Sequence, residues 1–174
     1  MSPADDDVAY ADPEAITSGA INLLTKAGTA AAAGNQAKAE RLVRRAAELP
    51  YIEQENMWPG IMGAQALLYG AVMEAGEQAW DEGDEQWDAF LSRLRAAEVD
   101  VAGDPSSLRV LESVFAGVAQ EFDEMGMGED LRRLAADADL NPRVDVPGEA
   151  RVPFILGLVR LCITVNPDQF TSPR

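Results

Sequence analysis

A chain of 174 residues with no histidine and a single cysteine cannot build a Ser-His-Asp or Cys-His nucleophile system, a histidine-bearing zinc site or a thiolate metal cage. Its 30 acidic and 14 basic residues leave a formal net charge of −16, a field that repels nucleic acid and anionic membranes and favours basic partners. Apolar residues make up 47 %, enough for one domain with a sizeable core, and no apolar run reaches the roughly 18 residues of a membrane span.

Residues 1–12 are polar and acidic and read as a loose arm. They lack the apolar centre of a signal peptide, and with the lone Cys162 this points to a cytoplasmic protein. Asp12-Pro13-Glu14 has the form of a helix start: a cap, a proline in the first turn and an early acid. Ile16, Ala20, Leu23, Leu24 and Ala27 follow at helical spacing until Gly34-Asn35 breaks the run. A second helix carries Ala39, Leu42, Val43, Ala46 and Leu49 and ends at Pro50. The link from Tyr51 to Trp58 is long for a connection and rich in large side chains. Two readings stand there: Trp58 and Ile52 fold back over a hydrophobic seam, or Trp58 is an exposed anchor for a partner.

Behind Pro59, the residues Ile61, Ala64, Leu67, Leu68, Ala71, Val72, Ala75 and Ala79 recur in threes and fours, the period of one helix face. Asp81-Glu82-Gly83-Asp84 stops that helix. Asp84 is placed to cap a return helix whose inner side holds Trp87, Phe90, Leu91, Leu94 and Ala97. So short a link makes the two helices antiparallel neighbours. After Pro105, a stripe of Leu108, Leu111, Val114, Phe115, Val118, Ala119 and Phe122 leads to the turn Met125-Gly126-Met127-Gly128. Leu131, Leu134, Ala135 and Ala138 mark the returning helix, which stops by Asn141-Pro142. Phe154, Ile155, Leu158, Val159, Leu161, Cys162 and Ile163 then form an apolar terminal segment, read as a buried helix, with a strand as the alternative because of its β-branched residues.

The expected fold is all-α. Three antiparallel helical hairpins, 13–50, 59–99 and 105–141, stack as a short solenoid or bundle, and a terminal helix over 151–165 covers one end. Residues 13–174 form one domain. Pro13, Pro59 and Pro105 fall at equal intervals, and Gly34 and Gly126, like Pro50 and Pro142, stand at matching distances beyond theirs. The second helix of the first unit, with Gly34, Ala39, Ala46, Leu49 and Pro50, resembles the second helix of a tetratricopeptide (TPR) repeat. Ala89 and Ala96 echo the same pair of small residues in the next unit. The resemblance implies a curved stack of hairpins that binds peptides or proteins, with small residues letting two helices approach closely.

Acids gather at two hairpin tips: Asp81, Glu82, Asp84, Glu85 and Asp88 at one, Glu121, Asp123, Glu124, Glu129 and Asp130 at the other. Hairpins stacked in register bring both tips to one edge. That edge suits a basic partner, with Trp80 and Trp87 as apolar anchors between the charges; the plainer alternative is a solvated edge that keeps the protein soluble. Neither tip has the alternating acidic loop of a calcium site, and no phosphate-cradling glycine motif is present. Glu74 and Glu77, one turn apart, are the only pair singled out for acid–base work. The methionines read as gap-fillers, with Met125 and Met127 alternatively an adaptable contact surface, and Cys162 reads as an inert core thiol.

The expectation is a non-catalytic interaction module or adaptor without cofactor or metal. It recognises a basic or amphipathic protein partner, binds neither nucleic acid directly nor membrane, and has self-association through the terminal helix as an option. The alternative is an acidic decoy of the immunity or nucleic-acid-mimic type that binds a nucleic-acid-binding protein. A third reading, an enzyme or ligand-binding helical domain with a buried carboxylate pocket, requires an enclosed cavity lined by at least two titratable groups.

Overall fold

Proline, glycine and asparagine punctuate the described residues into seven α-helices. The computed structural model describes residues 13–53, 56–124, 126, 128–135 and 146–171. The expected arm 1–12, Met125, Met127, and the end of the third hairpin at Ala138 and Asn141-Pro142 lie outside the described residues. The helices are α1 (Pro13–Ala32), α2 (Gln36–Ala47), α3 (Pro59–Glu82), α4 (Asp84–Asp100), α5 (Pro105–Asp123), α6 (Gly128–Ala135) and α7 (Arg151–Val165). Single 3-10 turns, Gly148–Ala150 and Pro167–Phe170, flank α7. Among the described residues there is no strand, only an antiparallel bridge between Ile52 and Met57.

Local chemistry sets the helix ends. Asn35 accepts from the Lys38 N–H at the start of α2, and Asp104 accepts from the Ser107 hydroxyl at 2.7 Å at the start of α5. Pro59 and Pro105 occupy first-turn positions where a missing N–H costs nothing. Between α3 and α4 the expected cap is corrected. Gly83, not Asp84, joins the two helices: its N–H donates to Ala79 O and its carbonyl accepts from the Trp87 N–H. Its backbone, φ +119° and ψ −179°, lies in a region open essentially to glycine alone. Asp84 is instead the first residue of α4, where its charge meets the positive end of the helix.

Most of the predicted stripes lie in the core. Ile61, Ala64, Leu67, Leu68, Ala71, Val72, Ala75 and Ala79 on α3 and Trp87, Phe90, Leu91, Leu94 and Ala97 on α4 are all buried, whereas Ile16, Leu23, Leu49, Leu108, Leu134 and Ile163 of the other stripes are half-buried. The helices lie in two layers. In one, α3 packs between α1 and α5; in the other, α2 lies on α1, α4 on α3 and α6 on α5. The terminal helix departs from expectation. Instead of covering one end, α7 lies on α3 and meets α2, α4 and α1 as well. Phe154, Ile155, Leu158, Val159, Leu161, Cys162 and Val165 are all buried. A helix apolar on so many sides is driven into the interior, not onto an end. Asn166 locks it there, donating from its side chain to Ala71 O at 3.3 Å, while Arg93 of α4 donates to Val165 O at 3.2 Å.

The small residues of the first unit do allow close packing. Ala39 and Ala46 are buried, and a Cβ on Gly60 would stand 2.7 Å from the Ala46 carbonyl oxygen. Ala89 and Ala96 are exposed, so the second unit does not use its small pair in that way.

Candidate functional site

The two acidic tips share one edge, and Trp87 is what joins them. Its indole N–H donates to Asp130 Oδ2 at 2.9 Å, tying the start of α4 to α6. Trp87 is only 7 % exposed, with Phe90 at 5.2 Å and Phe122 at 6.5 Å between ring centroids. It is therefore a core residue, which corrects the expectation of a surface anchor: a large ring on the inner stripe of α4 is worth more buried than wet. Trp80 is the exposed aromatic, at 46 %, and it stands edge-on against Trp87 with centroids 5.4 Å apart.

Trp58 also folds inward. The Arg151 guanidinium sits 3.6 Å from its ring centroid, the Tyr51 ring packs edge-on at 5.1 Å, and Ile52 in the same link is buried. Of the two readings for this link the structure bears out the fold-back; Trp58 as a protruding anchor is corrected.

The tips differ in charge. Asp123 pairs with Arg132, while Arg133 bridges Glu129 at 2.8 Å and Asp130 at 3.3 Å. Glu121 and Glu124 are exposed beside them. At the other tip Asp81, Glu82, Asp84, Glu85 and Asp88 are all exposed, and none forms a salt bridge among the described residues. Uncompensated negative charge is thus concentrated around Gly83.

A second feature escapes a reading of α3 as a one-faced helix. Met62, Tyr69, Met73 and Trp80 recur in steps of seven, four and seven, and so share one stripe turned away from the buried one. Met62 is 38 % exposed, and Tyr69 and Met73 are half-buried. This spacing was the available signal. Beside the stripe, α5 contributes Val110, Val114 and Gly117, and the two helices enclose a groove of about 560 Å³ that ends at Glu121. Tyr69 forms its floor. A Cβ at Gly117 would stand 3.0 Å from the Tyr69 ring, so glycine lets the ring lie against α5. The Tyr69 hydroxyl donates to Gly117 O at 3.4 Å. Burial raises its pKa above the usual tyrosine value and the charge of Glu121 raises it further, keeping it a donor.

Chemistry has little purchase elsewhere. Glu74 and Glu77 are both exposed on α3. Cys162 is buried and burial pushes its thiol pKa up, the opposite of what a nucleophile needs. Among the described residues no group of three acids or thiols is placed to hold a metal ion, and no helix is long and apolar enough to cross a membrane. No family model, no curated protein and no solved structure matches the chain.

Proposed function

We propose that this protein is a non-catalytic interaction module that recognises a basic, amphipathic segment of another protein along the edge where its hairpin tips converge. One observation carries the reading. Five exposed acids, none in a salt bridge among the described residues, surround Gly83, and directly beside them an exposed Trp80 is buttressed by the buried Trp87. Unpaired charge steers an oppositely charged partner, and a rigid aromatic supplies the apolar contact that holds it. The stacked hairpins are the kind of scaffold that the TPR resemblance implies.

The decoy reading needs negative charge spread over a long face, but Arg132 and Arg133 offset the second tip. A homodimer through α7 draws little support either. None of the exposed large apolar side chains among the described residues belongs to α7, and two copies at −16 each repel.

The test is affinity capture from the native host with three baits: the wild type, Trp80→Ala, and a variant carrying D81N, E82Q, D84N, E85Q and D88N. A basic partner retained by the wild type at about 0.15 M salt and lost from both variants is the expected result. A partner set unchanged by either variant would falsify the edge as the binding surface. Loss of every wild-type partner at high salt, with Trp80→Ala binding normally, would favour the decoy.

A further inference from the structure

Resting on that reading, we infer that the groove between α3 and α5 seats one amphipathic helix of about three turns, apolar residues on the Tyr69 floor and lysines or arginines at the end nearest Glu121 and Trp80. α3 carries two apolar stripes, and the described residues fully bury only one. Ile61, Ala64, Leu68, Ala71 and Ala75 are buried, whereas Met62 and Trp80 stay among the most exposed large apolar side chains of the described residues. An apolar seam of this kind, left open along a helix, is a docking surface by the ordinary rule for exposed apolar patches. Two parallel helices with a trough between them match the helix-in-groove mode, in which the occupant reads as anchors at i, i+4 and i+7.

The dimensions agree. From Val110 to Glu121 α5 advances about 16 Å, the length of roughly eleven helical residues. The methionines at Met62 and Met73 suit a seam that must fit side chains of another chain, because an unbranched thioether adapts its shape.

Charge selects the occupant. Glu121 is the one charged residue among the described residues that line the groove, and it belongs to the second acidic tip, so the end of the helix lying there is basic. A second copy of this chain brings −16 to the same place, and the arm 1–12 brings Asp5, Asp6, Asp7 and Asp12. Both are repelled where a basic helix is attracted. The seat therefore takes a foreign segment.

Two synthetic peptides of identical composition test this. Each has fourteen residues, four leucines and four lysines among alanines, with a fluorescein label. In one the leucines fall at i, i+4, i+7 and i+11 with lysines at one end; in the other they are scattered. Polarisation is read at about 0.15 M salt with the wild type, Ala66→Arg and the five-acid variant. Ala66 is an exposed groove residue on a helix that arginine suits well, so the substitution blocks the seat without loosening the core. The wild type is expected to prefer the patterned peptide by about tenfold, and Ala66→Arg to lose about tenfold for it while melting as the wild type does. Equal binding of the two peptides, no binding of the patterned one, or an unchanged affinity in Ala66→Arg overturns the groove. Should Ala66→Arg bind normally while the five-acid variant fails, the groove falls and the acidic edge stands. Should neither variant differ from the wild type, both fall.

Discussion

Gly83 and Trp87 show how single side chains hold the acidic edge. Gly83 turns the chain from α3 into α4 in one residue, at a φ of +119° that a side chain would strain. Gly83→Ala should cost about 1–3 kcal/mol, read as a lower urea midpoint with an unchanged slope. Trp87→Phe keeps one six-membered ring and removes the pyrrole half with the N–H that reaches Asp130, so loss of the hydrogen bond, about 0.5–1.5 kcal/mol, adds to the cost of the space left behind. A double-mutant cycle with Asp130→Asn shows whether that loss belongs to the pair. At Glu98 the effect is electrostatic. Burial raises its pKa, the negative charge of Glu112 raises it further, and Arg95 opposes them. A carboxyl raised in the folded state favours the fold while protonated, and that contribution is lost as pH rises through the folded pKa. Glu98→Gln should therefore raise the melting temperature at pH 7 and lose that advantage near pH 4. An equal gain at both pH values would show that the carboxylate charge is not the cause.

At the scale of elements, the buried stripes were legible because a 3.6-residue period leaves its mark directly in the order of apolar residues. Ile61 to Ala79 on α3 and Trp87 to Ala97 on α4 needed no tertiary information. The second stripe of α3 stayed hidden for the same reason. Once one face accounts for a helix, Met62, Tyr69, Met73 and Trp80 pass as scattered large residues. The tips were placed on one edge by register alone, but which tryptophan would be wet was not readable, since Trp80 and Trp87 both sit among acids. Nor was the place of α7. A helix apolar on several sides names no neighbour, and only the three-dimensional gap alongside α2 and α4 decides where it goes. Trp58 and Arg151 pin the link before α3 to the first residue of α7. Their contact is worth about 0.5–2 kcal/mol, but Arg151 Nε is buried with no hydrogen-bond partner among the described residues, which costs a similar amount. Arg151→Met is accordingly expected to leave stability within about 1 kcal/mol of the wild type in chemical denaturation.

Across the whole molecule, the excess of acid over base sets the response to salt. A net charge of −16 pushes the compact state apart, and counter-ions relieve that strain. The melting temperature should rise as sodium chloride goes from about 0.02 M to about 0.5 M, while affinity for a basic ligand falls over the same range. A melting temperature indifferent to salt would mean that the acids are too well spaced to repel.

The position of α7 has a consequence in time. Arg151 donates to the carbonyl of Ala47, 104 residues earlier, and Asn166 to that of Ala71, 95 residues earlier. The helices that α7 packs on are therefore synthesised long before α7 itself emerges from the ribosome. Until then the apolar walls of α2, α3 and α4 face an empty slot, and a nascent chain in that state is a natural client for chaperones.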